Sequence, residues 1–81
     1  MTKVPDILVT ETIHHGDYFY RDSVRAASIS DALPILLSRS PYYAARYAEN
    51  PDAMLRQIRG DLIEHGIAYF GWATYTFRVV E

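Results

Sequence analysis

From Ile7 to His14 apolar and polar residues alternate, and Ile, Val and Thr dominate. That is the period of a half-buried strand. Ile7, Val9 and Ile13 share one face of it, with Leu8, Thr10, Thr12 and His14 on the other. His15-Gly16-Asp17 supplies a turn, since Gly16 is free to take positive φ. A second strand runs from Tyr18 to about Ala27. It sets Tyr18, Tyr20, Val24 and Ala26 on one side and Phe19, Arg21 and Arg25 on the other. The two strands form a β-hairpin.

The pattern then changes to helical spacing. Ser28 and Asp31 approximate a capping box, and Ser30 is a second cap. The helix they open runs to about Ser38, and Pro34 is tolerable only in its first turn. Ser40-Pro41 opens another helix, Pro41 to Glu49, which halts at Asn50-Pro51. Asn50 caps a third, whose first turn holds Pro51 and Asp52. Met54, Leu55, Ile58, Leu62 and His65 recur at three- and four-residue spacing and predict one core-facing stripe, closed by Gly66.

From Ile67 to Val80 the chain reads as one long strand. Ile67, Tyr69, Ala73, Tyr75, Phe77 and Val79 share a face, and Phe70, Trp72, Thr74, Thr76 and Arg78 the other. Gly71 marks a bulge or bend, because strands usually run about 5–6 residues. The order β-β-α-α-α-β predicts a single α+β domain over residues 1–81, a three-stranded antiparallel sheet packed on a helical layer. The last strand should pair beside the first. The second face of the sheet then displays Phe70, Trp72 and threonines, or Tyr18 and Tyr20, and an aromatic face needs a cover. A homodimer or a partner protein supplies one; the short helix or the termini wrapping round supplies the other.

Composition narrows the class. Apolar residues make up 49% of the chain and charged residues 22%, a globular balance. With no cysteine, disulfides and thiolate metal sites are excluded. The amino terminus, Met1 to Pro5, carries no secretory signal, and the longest apolar run, Ile67 to Phe70, is far short of the ~20 residues of a membrane span. A cytoplasmic protein is expected, with no membrane partner. The net charge of −2 weighs against non-specific nucleic-acid binding as the main task. Charge is uneven, however: residues 39–59 hold Arg39, Arg46, Arg56 and Arg59 against Glu49 and Asp52.

No catalytic constellation emerges. His14 and His15, with Asp17, are the first place to look for a metal or general base. Adjacent strand residues point to opposite faces, however, and cannot chelate one ion while the strand is regular, an objection that weakens near the turn. The glycines at 16, 60, 66 and 71 are isolated, so there is no phosphate loop. Asp61 and Glu64 lie one helical turn apart on a solvated face. No cofactor and no metal is expected, and no enzymatic activity. Arg39 to Tyr47 is the most suggestive segment. Arg39, Tyr43, Arg46 and Tyr47 can gather round one short helix, suited to stacking on bases or docking into an acidic protein. The plainer assignment plugs Tyr43 and Tyr47 onto the sheet and leaves the arginines in water, since so short a helix must bury something.

In its order of elements the chain resembles several small phage-encoded inhibitors, including anti-CRISPR proteins. The passage that carries this is Asp17 to Ala32, about a fifth of the chain, where Val24-Arg25-Ala26-Ala27-Ser28 runs straight into a helix starting near Asp31. The resemblance implies a non-enzymatic protein, active in the host cell cytoplasm, that occludes a nucleic-acid-binding or subunit surface of a bacterial defence complex such as a CRISPR effector. Asp6, Glu11, Asp17, Asp22 and Asp31 would then meet basic groups of the partner as phosphates do. The expectation is therefore an inhibitor or adaptor that binds another protein through Glu11, Asp17, Asp22, Asp31, Arg39, Tyr43, Arg46 and Tyr47, with Phe70 and Trp72 on a dimer or partner face. The alternative is a dimeric, antitoxin-like regulator that binds nucleic acid with its Arg/Tyr-rich helices.

Overall fold

The computed structural model describes residues 5–80, so the reading of residues 1–4 lies outside the described residues. The fold is α+β, an antiparallel sheet with three helices, in the order β1 (Asp6–His15), β2 (Tyr18–Ala26), α1 (Ile29–Arg39), α2 (Ala44–Glu49), α3 (Pro51–His65), β3 (Ile67–Phe70) and β4 (Ala73–Val80). The sheet has four strands, β2-β1-β4-β3, where three were expected. The first strand does pair with the last, Val9 opposite Phe77 and Ile13 opposite Ala73.

The extra strand comes from Gly71. The residue turns a hairpin with Trp72 instead of bending one strand, and Phe70 pairs with Ala73. Gly71 has φ 59° and, among the described residues, no non-glycine residue has positive φ, the backbone pattern of a type II′ turn with glycine first. Gly16 and Asp17 repeat it between His15 and Tyr18, with φ 60° at Gly16. A two-residue turn places its flanking residues on the same face. Phe70 therefore shares the face of Ala73 and Tyr75, and Ile67 and Tyr69 move to the opposite one, reversing the expected sides of that segment.

All three helices cover one face. α1 lies over β1 and β2, α3 over β3 and β4, and α2 joins them. Ser28 caps α1, accepting the Asp31 N–H at 3.1 Å. The helix thus starts at Ile29, which leaves Pro34 in its interior, contrary to expectation. An interior proline costs ~3 kcal/mol or more. Leu33, Leu36 and Leu37, all fully buried, offset that at about 1.5–3 kcal/mol each.

α2 is shorter than expected. Pro41, Tyr42 and Tyr43 form a turn, and regular helix begins at Ala44. Asn50 caps α3, and the Gly66 N–H closes it on the Leu62 carbonyl at 2.9 Å. Met54, Ile58 and Leu62 are buried as the stripe predicts, while His65 is exposed. Among the described residues no helix is long and apolar enough to cross a membrane.

Candidate functional site

Glu11 has the parity of Val9 and Ile13, so its carboxyl points beneath the helices and is fully buried. Tyr75, opposite on β4, donates its hydroxyl to Oε2 at 2.6 Å, while Oε1 has no hydrogen-bond partner. Asp22 is the neighbour on β2. Burial raises the Glu11 pKa above the usual carboxylate range; the Tyr75 and Ser40 hydroxyls oppose the rise and the Asp22 charge adds to it. Burial, and then the Glu11 carboxylate, likewise push the Tyr75 phenol upward. Glu11 is therefore a core residue, not the partner-facing acid expected of it.

Asp22 is also committed inside the molecule. Its carboxylate takes both Nε and Nη2 of Arg39, at 3.0 and 2.9 Å, a two-pronged clamp of α1 onto β2. Asp6 holds Arg25 Nε at 2.8 Å. Of the acids expected to meet a partner, Asp17 and Asp31 are exposed and without an ion pair among the described residues.

The Arg39–Tyr47 segment follows the plainer assignment. Tyr43 is buried, its ring edge-on to Phe70 at 5.2 Å and its hydroxyl accepting the Trp72 N–H at 2.9 Å. Tyr47 is half-buried against the core. Arg46 is exposed, with its guanidinium 4.8 Å above the Phe70 ring. The expected partner-facing role of Tyr43 is thereby corrected: a buried ring has no face left to offer. Phe70 is corrected too, for it lies on the helical side beneath Tyr43 and Arg46 instead of on the open sheet face.

Trp72 is exposed, but in a turn and not on a sheet face. β1 and β3 run parallel, so the two glycine turns emerge at the same end of the sheet. Trp72 stacks on His15 with ring centroids 4.0 Å apart, and Tyr18 stacks on Tyr42 at 5.2 Å. A 3.2 Å hydrogen bond between His15 Nδ1 and the Tyr42 hydroxyl joins the two pairs, and Tyr42 meets Trp72 edge-on. The backbone fixes this cluster from below. Tyr43 holds the Trp72 N–H, and the Trp72 carbonyl accepts the His14 N–H at 3.2 Å. Four rings of three kinds are thus ordered and still solvent-facing. Sequence reasoning missed this grouping; its one signal was the repeated glycine at the first position of two turns.

The face of the sheet away from the helices is mainly polar, and its exposed rings are Phe19 and Tyr69 at the two edges, not the Phe70 and Trp72 or the Tyr18 and Tyr20 expected. Arg21, Thr12, Thr74 and Tyr69 form one continuous row across all four strands. Ser23, Thr10, Thr76 and Ile67 form the next, and Arg25, Leu8 and Arg78 the third. Such a face needs no cover to remain stable in water. Among the described residues, no group of three or more His, Cys, Asp or Glu is placed to hold a metal ion. A hollow beneath Arg46, lined by Met54, Gln57 and Phe70 among others, holds about 140 Å³, below the ~300–1,000 Å³ of small-molecule sites. Compared with protein-family models, curated proteins and solved structures, the chain matches none.

Proposed function

We propose that this chain is a non-enzymatic inhibitor or adaptor, cytoplasmic in location, that docks another protein through the cluster of His15, Tyr18, Tyr42 and Trp72. The observation that carries the proposal is the exposure of rings that are already stacked and bonded to one another. Trp and Tyr dominate the energetic centres of protein interfaces. Rings held in place before contact also lose little freedom on binding. Asp17, exposed in the adjoining turn, adds a carboxylate at the rim. The resemblance to small phage-encoded inhibitors implies a partner of matching kind, a subunit or nucleic-acid-binding surface of a bacterial defence complex.

Affinity capture from bacterial lysate, run in parallel with wild type, Trp72→Ala and Arg46→Ala, tests this function. A stoichiometric protein held by wild type and Arg46→Ala, and weakened about 30-fold by Trp72→Ala, supports it. Equal loss in both variants, or no protein held by any of the three, counts against it.

A further inference from the structure

The net charge of −2 hides a separation of charge across the sheet. On the open face lie Arg21, Arg25 and Arg78 against one carboxylate, Asp6, which Arg25 already engages. The other described acids lie on the helical side or in the turn at Asp17. The chain is acidic as a whole and basic on one face. Arg21 and Arg78 remain exposed there, at diagonal ends of the sheet.

Two exposed rings accompany them. Phe19, on edge strand β2, is 59% exposed, and Tyr69, on the opposite edge strand β3, is 67% exposed. The row from Arg21 to Tyr69 spans three strand spacings, ~14 Å. Hydroxyls of Thr12 and Thr74 fill its middle. Arg21 lies 5.4 Å from the Phe19 ring centre, so a guanidinium and a ring already share one corner. Cations for phosphates, rings for base faces and hydroxyls for base edges thus occur on one flat surface. An acidic polypeptide would use the arginines but has no need of two bare rings on opposite edges. Among the helical arginines, Arg39 is clamped by Asp22, Arg59 bonds Ser30, Arg46 lies over the half-buried Phe70 ring, and Arg56 is exposed with no aromatic partner among the described residues.

We infer that the open face of the sheet binds a short stretch of single-stranded nucleic acid, with Arg21 and Arg78 on phosphates and Phe19 and Tyr69 stacked on bases. This goes beyond docking at the turn end and uses different side chains. Two or three phosphate contacts make binding weak and salt-dependent. At about 0.7 in log–log slope per phosphate on a single strand, affinity falls roughly tenfold between about 50 and 200 mM salt.

The test is fluorescence anisotropy of a labelled oligouridylate with the full chain, using polyglutamate as competitor. Wild type should bind with that salt slope. Tyr69→Ala should weaken it about fivefold or more, and Arg78→Ala should lower the slope by about 0.7. Trp72→Ala, which disables the protein-docking cluster, should leave it unchanged, so each function can fail without the other. No binding at low salt overturns the inference. So does polyglutamate that competes charge for charge, or binding by Tyr69→Ala equal to wild type while circular dichroism shows all variants folded.

Discussion

The Arg39–Tyr47 segment and the end of the sheet where the two glycine turns emerge are equally rich in aromatic and polar rings, yet their rings meet opposite fates. In the first, Tyr43 is buried and Tyr47 half-buried, and Arg39 is spent on Asp22. At the second, Tyr18 and Trp72 stay exposed, joined by Tyr42, which the turn ahead of α2 sends to this end of the sheet instead of into the core. Composition does not separate the two regions. Geometry does: a helix one and a half turns long must bury its rings to hold its place, whereas a two-residue turn held by backbone hydrogen bonds leaves its rings free. Tyr43 belongs to both regions, since it gives up its own surface to hold Trp72 in position.

The largest effect falls where the regions meet. A Cβ at Gly71 would collide with the Tyr43 hydroxyl, and φ there is positive. Gly71→Ala should therefore cost about 3 kcal/mol or more in urea denaturation. Gly16→Ala has the same φ with open space around it, and should cost only about 1–2 kcal/mol. Equal losses would mean that Tyr43 does not brace the turn.

A second effect concerns the core beside Ser40, where the Arg39–Tyr47 segment begins. Because burial raises the Glu11 pKa in the folded state, folding takes up a proton there. That group's stabilisation is present at low pH and is lost as pH rises through the raised folded value. Tyr75, Tyr20, Asp22 and Ser40 surround it and Arg39 faces Asp22, so among the described residues no cation contacts the carboxylate directly. Glu11→Gln keeps an acceptor for Tyr75 and removes the charge. Thermal melts from acid to neutral pH should show the variant gaining on wild type as pH rises; parallel curves would refute the burial account.

Smaller still is Tyr43→Phe, which removes one hydrogen bond to a partly solvated N–H and should cost ~0.5–1.5 kcal/mol. It should also loosen Trp72, read as faster exchange of that amide. Smallest is Arg46→Ala, an exposed cation over Phe70 worth ~0.5–1 kcal/mol.

Much of the fold is legible in the residues themselves. The first hairpin, the Ser28 and Asn50 caps and the Gly66 stop follow from local chemistry, because each is decided within a few residues, while the pairing of first and last strands follows from the apolar alternation that both carry. The fourth strand is not, since tryptophan is no turn former and Gly71-Trp72 interrupts an otherwise continuous apolar run. Mistaking the turn for a bulge reverses the parity of Ile67, Tyr69 and Phe70, and with it the face each one meets. Glu11 was readable in part: it lies at the inward parity between Val9 and Ile13, but only tertiary packing supplies the Tyr75 hydroxyl that makes its burial tolerable. The aromatic cluster draws on three distant stretches, at His15–Tyr18, Tyr42 and Trp72, and no local pattern joins them.

Trp72 is the one tryptophan of the chain and half of it faces solvent, so its fluorescence reports on the proposed docking surface alone. Acrylamide quenching of the free protein, and of its complex with the captured partner, measures that contact directly. Efficient quenching when free, with protection and a blue-shifted emission in the complex, is the predicted result. A complex in which Trp72 quenches as readily as in the free protein would contradict docking through the turn end.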